Sequence, residues 1–336
     1  MPDATCISDF GYFDSPDFLK LSLHISTIIS TPIYYLGVYC ILFKTPKAME
    51  TVKWTLLALH VWIILFDYSF SLFVVPFLLF PALAWIPNGL LRVLGVPPLY
   101  QYFLVSLAAS NVATSTLAIF ENRFFILCNF RWKPQWTVFR RFWIAFHYVI
   151  GSISFLPVAK QVPEQIMARE LVFQSLPCLS SELYNEDVFV VTLSLGNDLF
   201  FAALSAGILS TEINIFIIFM TLNTKQQLKS KHISPTTYQL QKKFFLSLVL
   251  QTVIPIVMLS IPFVIMLVII EDGYRNQALL NFGELVLTSH GIVSTLVMIL
   301  VHKPYRLAVM EMITGRKASR RTVPVTKTLN FSVVTI

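Results

Sequence analysis

The chain has 336 residues, of which 56% are hydrophobic and only 13% are charged. A soluble domain of ordinary composition carries about 25% charged residues, so this composition excludes that class. The net charge is +7, but the basic residues are spread over separate segments with no basic-aromatic motif, so nucleic acid is not expected as a partner.

Seven long apolar stretches follow one another along the chain, and most reach the ~20 residues that cross ~30 Å of hydrocarbon. Backbone groups cannot stay unpaired in lipid, so each stretch must be a helix or belong to a closed barrel. The stretches are too long and too continuously apolar for barrel strands. The sequence predicts an all-α membrane protein, a seven-transmembrane helix bundle (residues 21–302), with helices at about 21–43, 54–80, 97–127, 142–158, 188–222, 244–270 and 277–301.

Lysine and arginine are concentrated in alternate connections, and positive charge is retained on the cytoplasmic side of a membrane. Most of the 25 basic residues become cytoplasmic if the N-terminus lies outside. We therefore expect an extracellular N-terminal arm (residues 1–20) and a cytoplasmic C-terminal tail (residues 303–336). A short interfacial helix is predicted within the tail, at residues 307–313.

This topology divides the four cysteines by compartment. Cys6 in the N-terminal arm and Cys178 in the loop after the fourth helix would both lie outside, where thiols oxidise. Cys40 and Cys128 would lie towards the cytoplasm. We predict a disulfide between Cys6 and Cys178, with two free thiols or pairing between chains as the alternatives.

Ionisable side chains interrupt several apolar stretches, and because each costs ~2.5–3.5 kcal/mol near the bilayer centre, it normally faces the bundle interior. His60 and Asp67 share one face of the second helix, which predicts a buried polar hub that holds sodium or a network of water. Asp198, Glu284 and Thr288 lie in the outer halves of the fifth and seventh helices, within reach of a ligand from outside. The alternative for each is an interhelical hydrogen bond, worth ~0.6 kcal/mol on average.

Two prolines, Pro255 and Pro262, lie seven residues apart in the sixth helix and on one face of it. Each removes a backbone hydrogen bond and favours a kink. The pattern predicts either a hinge that lets the cytoplasmic end of this helix swing or a static bend.

No catalytic signature is found in the sequence: it lacks a Gly-rich phosphate loop, His-Glu-x-x-His, Cys-x-x-Cys and Gly-x-Ser-x-Gly. We therefore expect no enzyme activity, no metal site and no cofactor.

Short motifs occur at fixed places between residues 20 and 310. They are Thr45-Pro46-Lys47-Ala48-Met49, Val52-Lys53-Trp54, Leu59-His60, Phe120-Glu121-Asn122-Arg123, Phe155-Leu156-Pro157, Leu176-Pro177-Cys178, the paired prolines of the sixth helix and His302-Lys303-Pro304-Tyr305-Arg306. In their order and placement they resemble the nematode serpentine chemoreceptors, class H in particular. The resemblance implies a seven-helix receptor of the G-protein-coupled type, which detects environmental chemicals at the plasma membrane of sensory cilia in chemosensory neurons.

The resemblance also implies roles at the cytoplasmic end. Glu121, Asn122 and Arg123 stand where the larger rhodopsin-like receptors carry an acid next to an arginine, so Arg123 is expected to meet a G protein on activation. Residues two apart on a helix do not face each other, which leaves Glu121 to pair with another helix. Arg123 could instead snorkel to the interface. Tyr305 stands near the switch tyrosine of those receptors.

The sequence and the resemblance together predict a chemosensory receptor that binds a small molecule in the outer half of its bundle and activates a heterotrimeric G protein. The alternatives are a subunit of a chemically gated ion channel and, after that, a transporter. The basic loops are expected to contact membrane lipid, and an oligomer is left open.

Overall fold

A computed structural model describes residues 11–128, 130–176, 181–193, 195–230, 234–272 and 276–315. In the fifth and sixth helices only part of the side chains is described. The long helices are α1 (Pro16–Phe43), α2 (Glu50–Tyr68), α3 (Pro98–Leu127), α4 (Lys133–Ile153), α5 (Leu195–Lys229), α6 (Pro235–Asp272) and α7 (Gln277–Val301), followed by α8 (Lys303–Thr314). A π-helix (Ser69–Val74) continues α2. Short helices cover Leu90–Val93, Leu156–Gln161, Gln165–Ser175 and Ser181–Tyr184, and 3-10 turns cover Tyr12–Asp14 and Lys47–Met49.

Six helical segments of the described chain are long and apolar enough to cross a membrane. They are Pro16–Phe43, Glu50–Val74, Pro98–Leu127, Lys133–Gln161, Gly207–Lys229 and Gln277–Val301. The remaining long helix, α6, contains the shorter apolar segment Ile256–Ile265. The predicted all-α bundle of seven membrane helices is confirmed.

Side-chain caps set where several helices begin. Ser15 Oγ accepts from the backbone N–H of Phe18 at the start of α1, and Asn276 accepts from the backbone N–H of Leu279 at the start of α7. Such caps satisfy N–H groups that have no partner within the helix. At the other end of the chain, Gly315 takes a φ of 63° and closes α8, a conformation that glycine adopts without a steric penalty.

A small antiparallel sheet, absent from the sequence prediction, covers one end of the bundle. Its strands are β1 (Pro76–Leu78), β2 (Leu83–Pro87) and β3 (Phe189–Thr192), in the order β1-β2-β3, with Phe77 opposite Ile86 and Trp85 opposite Phe189. The second helix therefore ends at Val74 and not near residue 80, and α5 begins at Leu195 and not near residue 188. A buried strand is as apolar as a membrane helix, so hydropathy alone does not separate the two.

This end, called the hairpin end below, has a hydrophobic core of its own. The core joins the first turns of α1, the β1–β2 hairpin and the helix Gln165–Ser175. Its buried members are Leu19, Leu23, Val75, Phe77, Leu79, Ala84, Ile86, Ala168, Val172, Leu176, Leu183, Val188 and Val190. The loops between the helices are thereby fixed against the bundle.

Below the hairpin, α1 packs against α2 and α7, α3 packs against α2, α4 and α5, and α6 packs mainly against α7. A second core lies at the opposite end, which we call the α8 end. Its largest buried residues include Ile41, Leu117, Phe120, Met220 and Tyr305. Helix α7 contributes to both cores, as does α1, so these two helices connect the two ends.

Candidate functional site

A cluster of buried polar groups joins α1, α2 and α7 in the middle of the bundle. The hydroxyl of Tyr34 donates a hydrogen bond to Asp67 Oδ2. His290 Nδ1 lies 2.8 Å from Asp67 Oδ1 and 2.8 Å from the carbonyl oxygen of Leu287. Because Nδ1 faces two oxygens, it must carry the proton. Asp67 is 2% exposed and His290 is fully buried.

Two glycines allow the three helices to meet at this cluster. A Cβ on Gly291 would overlap Asp67 Oδ2 and would lie 2.7 Å from the Tyr34 hydroxyl. A Cβ on Gly37 would lie 2.5 Å from His60 Nε2, which is 3.2 Å from the carbonyl oxygen of Tyr34. No larger residue fits at either glycine without moving a neighbouring helix.

The structure thus brings together the two predicted members of the polar hub, Asp67 and His60, and adds two that sequence reasoning missed. His290 carries the signal that identified Asp67, an ionisable group inside an apolar stretch, and was overlooked. Tyr34 carries no such signal. Both carboxylate oxygens of Asp67 already face Tyr34 or His290, and no group of three metal-ligating side chains occurs in the described parts of the chain. This geometry favours a packing network over a sodium site.

A row of buried polar residues runs along α7 towards the hairpin. Gln277, Asn281, Glu284 and Thr288 follow one another at spacings of four, three and four, which places them on one face, and all four are buried. The Gln277 amide donates to the carbonyl oxygen of Leu78 (3.0 Å) and to Asn281 Oδ1 (3.2 Å).

The outermost part of this row fastens the N-terminal segment to α7. The Asn281 amide donates to the carbonyl oxygen of Phe13 (2.8 Å), and Asp14 accepts from the backbone N–H of Ala278 (2.7 Å). Gln277 and Asn281 are therefore engaged in holding the hairpin and the N-terminal segment.

Glu284 differs from its neighbours in the row. Its side chain is nearly inaccessible, with 3% of the residue exposed. Neither carboxylate oxygen has a partner with hydrogen-bond geometry among the described residues, although the backbone of Leu78 in β1 lies nearby. Thr288, one turn further into the membrane, donates to the carbonyl oxygen of Leu285 in its own helix. The predicted ligand contacts Glu284 and Thr288 thus lie beneath the hairpin.

The other predicted contacts at this end lie outside the description. The side chain of Asp198, the third predicted ligand contact, is outside the described residues, as are both cysteines of the predicted disulfide, Cys6 and Cys178. These stay predictions.

At the α8 end, Glu121 pairs with the neighbouring helix, as the spacing of the motif requires. Its Oε2 lies 2.5 Å from Arg140 Nη2 and 3.0 Å from Arg140 Nε, and its Oε1 accepts from the Trp136 indole N–H at 2.7 Å. Asn122 accepts from the same arginine (3.1 Å) and donates to the carbonyl oxygen of Thr51 (3.1 Å). These contacts tie α3 to α4 and to the start of α2.

Arg123 points inward, with 8% of the residue exposed, so its side chain does not snorkel to the interface. It lies beside His302 and Tyr305 at the junction of α7 and α8. Burial, assisted by the Arg123 guanidinium, lowers the pKa of His302 to about 4. Tyr305 is fully buried, and its hydroxyl lies 2.7 Å from Thr45 Oγ1. Burial raises the pKa of Tyr305, so both groups are neutral at physiological pH.

One of the two predicted kink prolines is described. Pro262 packs against α7, where a Cβ on Gly283 would lie 3.4 Å from its own Cβ. The side chain of Pro255 lies outside the described residues. The pair therefore remains a prediction, either of a hinge or of a static bend.

Comparison with known proteins agrees with this architecture. A family model described as the serpentine type 7TM GPCR chemoreceptor Srh matches residues 14–315. Serpentine receptor class H-72 from Caenorhabditis elegans is 27% identical over 332 residues, which covers 98% of this chain and 95% of that protein. This family is a chemoreceptor family and not an enzyme family. The chain belongs to the Srh family of serpentine seven-transmembrane chemoreceptors, as its motifs indicated.

Proposed function

We propose that this chemoreceptor binds an environmental small molecule beneath the β1–β2 hairpin and activates a heterotrimeric G protein at the α8 end. The observation that carries the proposal is the buried polar row of α7. It begins at Gln277 under the hairpin, passes Glu284 and Thr288, and reaches the Asp67 cluster at Gly291.

The same helix leads on to the opposite end of the bundle. Thr295 lies on the α7 face that carries Gly291 and packs against Gly37 of α1, where a Cβ would lie 2.8 Å from Thr295 Cγ2. Helix α7 ends next to His302 and Arg123. A shift of α7 at the hairpin end would therefore change the contacts of α7 with the Asp67 cluster and with Arg123 at the α8 end. Coupling of this kind requires an element with two arrangements that both sites influence. Of the two helices that contact both ends, α1 and α7, only α7 carries the polar row, so we propose α7 for this role.

The α8 end also offers a surface of the right charge. Residues 131–141 and 225–243 are rich in lysine and arginine, and with the N-terminus outside they face the cytoplasm. Arg123 is buried at the same end, beside His302 and Tyr305. We propose that a movement of α6 exposes it, in keeping with the rearrangements by which packed helices switch. The same basic segments attract anionic lipid.

The family and the apolar helices support a multi-pass membrane protein. We assign the receptor to the plasma membrane of sensory cilia in chemosensory neurons, with an extracellular N-terminus. Neither the monomer nor an oligomer is required by the proposed coupling.

The test expresses the full chain with an N-terminal epitope tag in cells that carry a G-protein reporter. Second-messenger signals and membrane currents are recorded with a panel of volatile and water-soluble chemicals. Arg123→Ala is compared with Arg306→Ala, because Arg306 is an exposed arginine of α8 that lies outside the two basic segments. Antibody binding to intact cells measures surface expression and shows on which side the N-terminus lies.

We expect a response that requires the G protein, is lost in Arg123→Ala and persists in Arg306→Ala at equal surface expression. A current that persists without any G protein would instead identify a gated channel. Uptake of the chemical in proportion to expression, without a second messenger, would identify a transporter.

A further inference from the structure

We infer that the ligand of this receptor carries a protonated amine and that Glu284 is its counter-ion. The inference rests on the proposed function, because it gives the chemical class of the molecule bound beneath the hairpin. It starts from the surroundings of Glu284.

Glu284 is a buried acid whose two oxygens have no hydrogen-bond partner in the described part of the chain. An ionised carboxylate in such a place is costly unless it is paired, and buried acids of native proteins nearly always have partners. The backbone of Leu78 lies nearby but outside hydrogen-bond geometry. The carboxyl group is therefore available to a partner that the described part of the chain does not supply.

The polar residues next to Glu284 cannot serve as that partner. Gln277 and Asn281 already use their amides on Leu78 and Phe13. The Thr288 hydroxyl donates a hydrogen bond to the carbonyl oxygen of Leu285 in its own helix. The missing partner must therefore come from outside the row.

The basic residues of the hairpin end do not supply it either. Lys20 and Lys160 are exposed. Arg92 lies 2.6 Å from Glu186, and Arg169 lies 3.4 Å from Asp187. Every lysine and arginine that the structure describes at this end is thus exposed or engaged, so we assign the positive charge opposite Glu284 to the ligand.

The surroundings favour an organic cation over a metal ion. Inorganic cations need several oxygen ligands, and only the two oxygens of Glu284 are uncommitted in this row. The hairpin side is apolar, since Leu280 packs with Phe80 and Ile269 immediately above. A carboxylate beneath an apolar rim matches a molecule with one ammonium group and a hydrocarbon body.

The experiment uses the purified full chain in lipid nanodiscs and follows its thermal unfolding. The probes are unbranched alkylamines from propylamine to octylamine, each with the alcohol and the carboxylic acid of the same chain. A ligand that binds the folded state raises its stability according to its affinity. Sodium chloride and choline chloride at equal ionic strength test for an adventitious response to small cations.

In the wild type we expect stabilisation by amines and none by the matched alcohols and acids. Glu284→Gln should lower the apparent affinity for amines by at least ~30-fold, since loss of one member of a buried charge pair costs ~2–5 kcal/mol and 1.4 kcal/mol is tenfold. Glu212→Gln is the matched control, because Glu212 is a partly exposed glutamate of α5 that pairs with His147. It should keep the amine response.

Should Glu284→Gln fail to fold, Glu284→Asp keeps the charge on a shorter side chain and should retain selectivity for amines at lower affinity. The inference is overturned by a wild type that no amine stabilises, by equal stabilisation from amines and alcohols, or by an unchanged response in Glu284→Gln.

The reporter assay of the proposed function separates the two failures. A G-protein signal elicited by alcohols or acids alone would refute the inference of an amine ligand and leave the proposed receptor function intact. Amine binding without any G-protein signal would refute the proposed coupling and leave the site.

Discussion

Gly291→Ala is the substitution whose effect the structure determines most directly. The added methyl group would overlap Asp67 Oδ2 and lie 2.7 Å from the Tyr34 hydroxyl and 2.8 Å from Ile63 Cγ2. These atoms belong to two helices, α1 and α2, so no single side-chain rotation relieves the crowding. The helices must separate or the cluster must break.

The magnitude follows from two opposing effects. Adding a methyl group to a packed core costs ~1–3 kcal/mol, and three close contacts at once place Gly291→Ala near the top of that range. Alanine is about 1 kcal/mol more favourable than glycine inside a helix. The free energy of unfolding should therefore fall by about 2 kcal/mol.

The chain supplies matched controls among its other helical glycines. A Cβ on Gly207 of α5 meets no described atom within 4 Å, and a Cβ on Gly283 of α7 meets Pro262 at 3.4 Å. Thermal unfolding of the purified receptor in nanodiscs should show Gly207→Ala as the most stable variant, Gly283→Ala as intermediate and Gly291→Ala as the least stable. If Gly291→Ala is as stable as Gly207→Ala, the close approach of α7 to Asp67 is wrong.

Two further predictions concern the α8 end. Arg140→Ala leaves the fully buried carboxylate of Glu121 with only the Trp136 indole N–H, and unfolding should become easier by ~3–5 kcal/mol; Arg140→Lys should recover part of this, and equal stability of both variants would contradict the pairing. Tyr305→Phe removes only the hydroxyl contact with Thr45, so the same unfolding assay should show a loss of ~0.5–1.5 kcal/mol, and a much larger loss would contradict that assignment.

The membrane helices could be predicted from the sequence, but the hairpin that covers one end of the bundle could not. Length and continuous hydropathy suffice for membrane helices, because lipid leaves the backbone no other choice. The hairpin was missed since its strands at Pro76–Leu78 and Leu83–Pro87 are as apolar as the end of α2. Val75 explains the break physically: its φ of 45° ends the π-helix, and nothing in the local sequence requires a valine to adopt it.

At the candidate site, the sequence identified positions but not partners. Asp67 and Glu284 stand out because ionisable groups are rare in lipid. Their surroundings depend on which helices meet, and a single chain does not reveal that Asp67 has His290 beside it while Glu284 has no partner among the described side chains. The two acids, equally conspicuous in the sequence, thereby separate into a structural hub and a binding candidate.

The same two acids set what a ligand must do to activate the receptor. Glu284 and Gly291 are seven residues apart on α7, about 10 Å along the helix, so a molecule at Glu284 touches the helix that is seated against Asp67. A ligand shifts an equilibrium only by the difference in its affinity for the two states, and a shift from 1:99 to 99:1 needs ~5.5 kcal/mol. Removal of one partner of a buried charge pair costs ~2–5 kcal/mol, and much of that is the penalty of the unpaired charge. The pair itself therefore supplies less, and only the part gained in the active state counts. For the proposed amine ligand the charge pair alone falls short of this amount. Contacts between the ligand's hydrocarbon and the apolar side chains beneath the hairpin must provide the rest of the free energy that shifts the equilibrium to the active state.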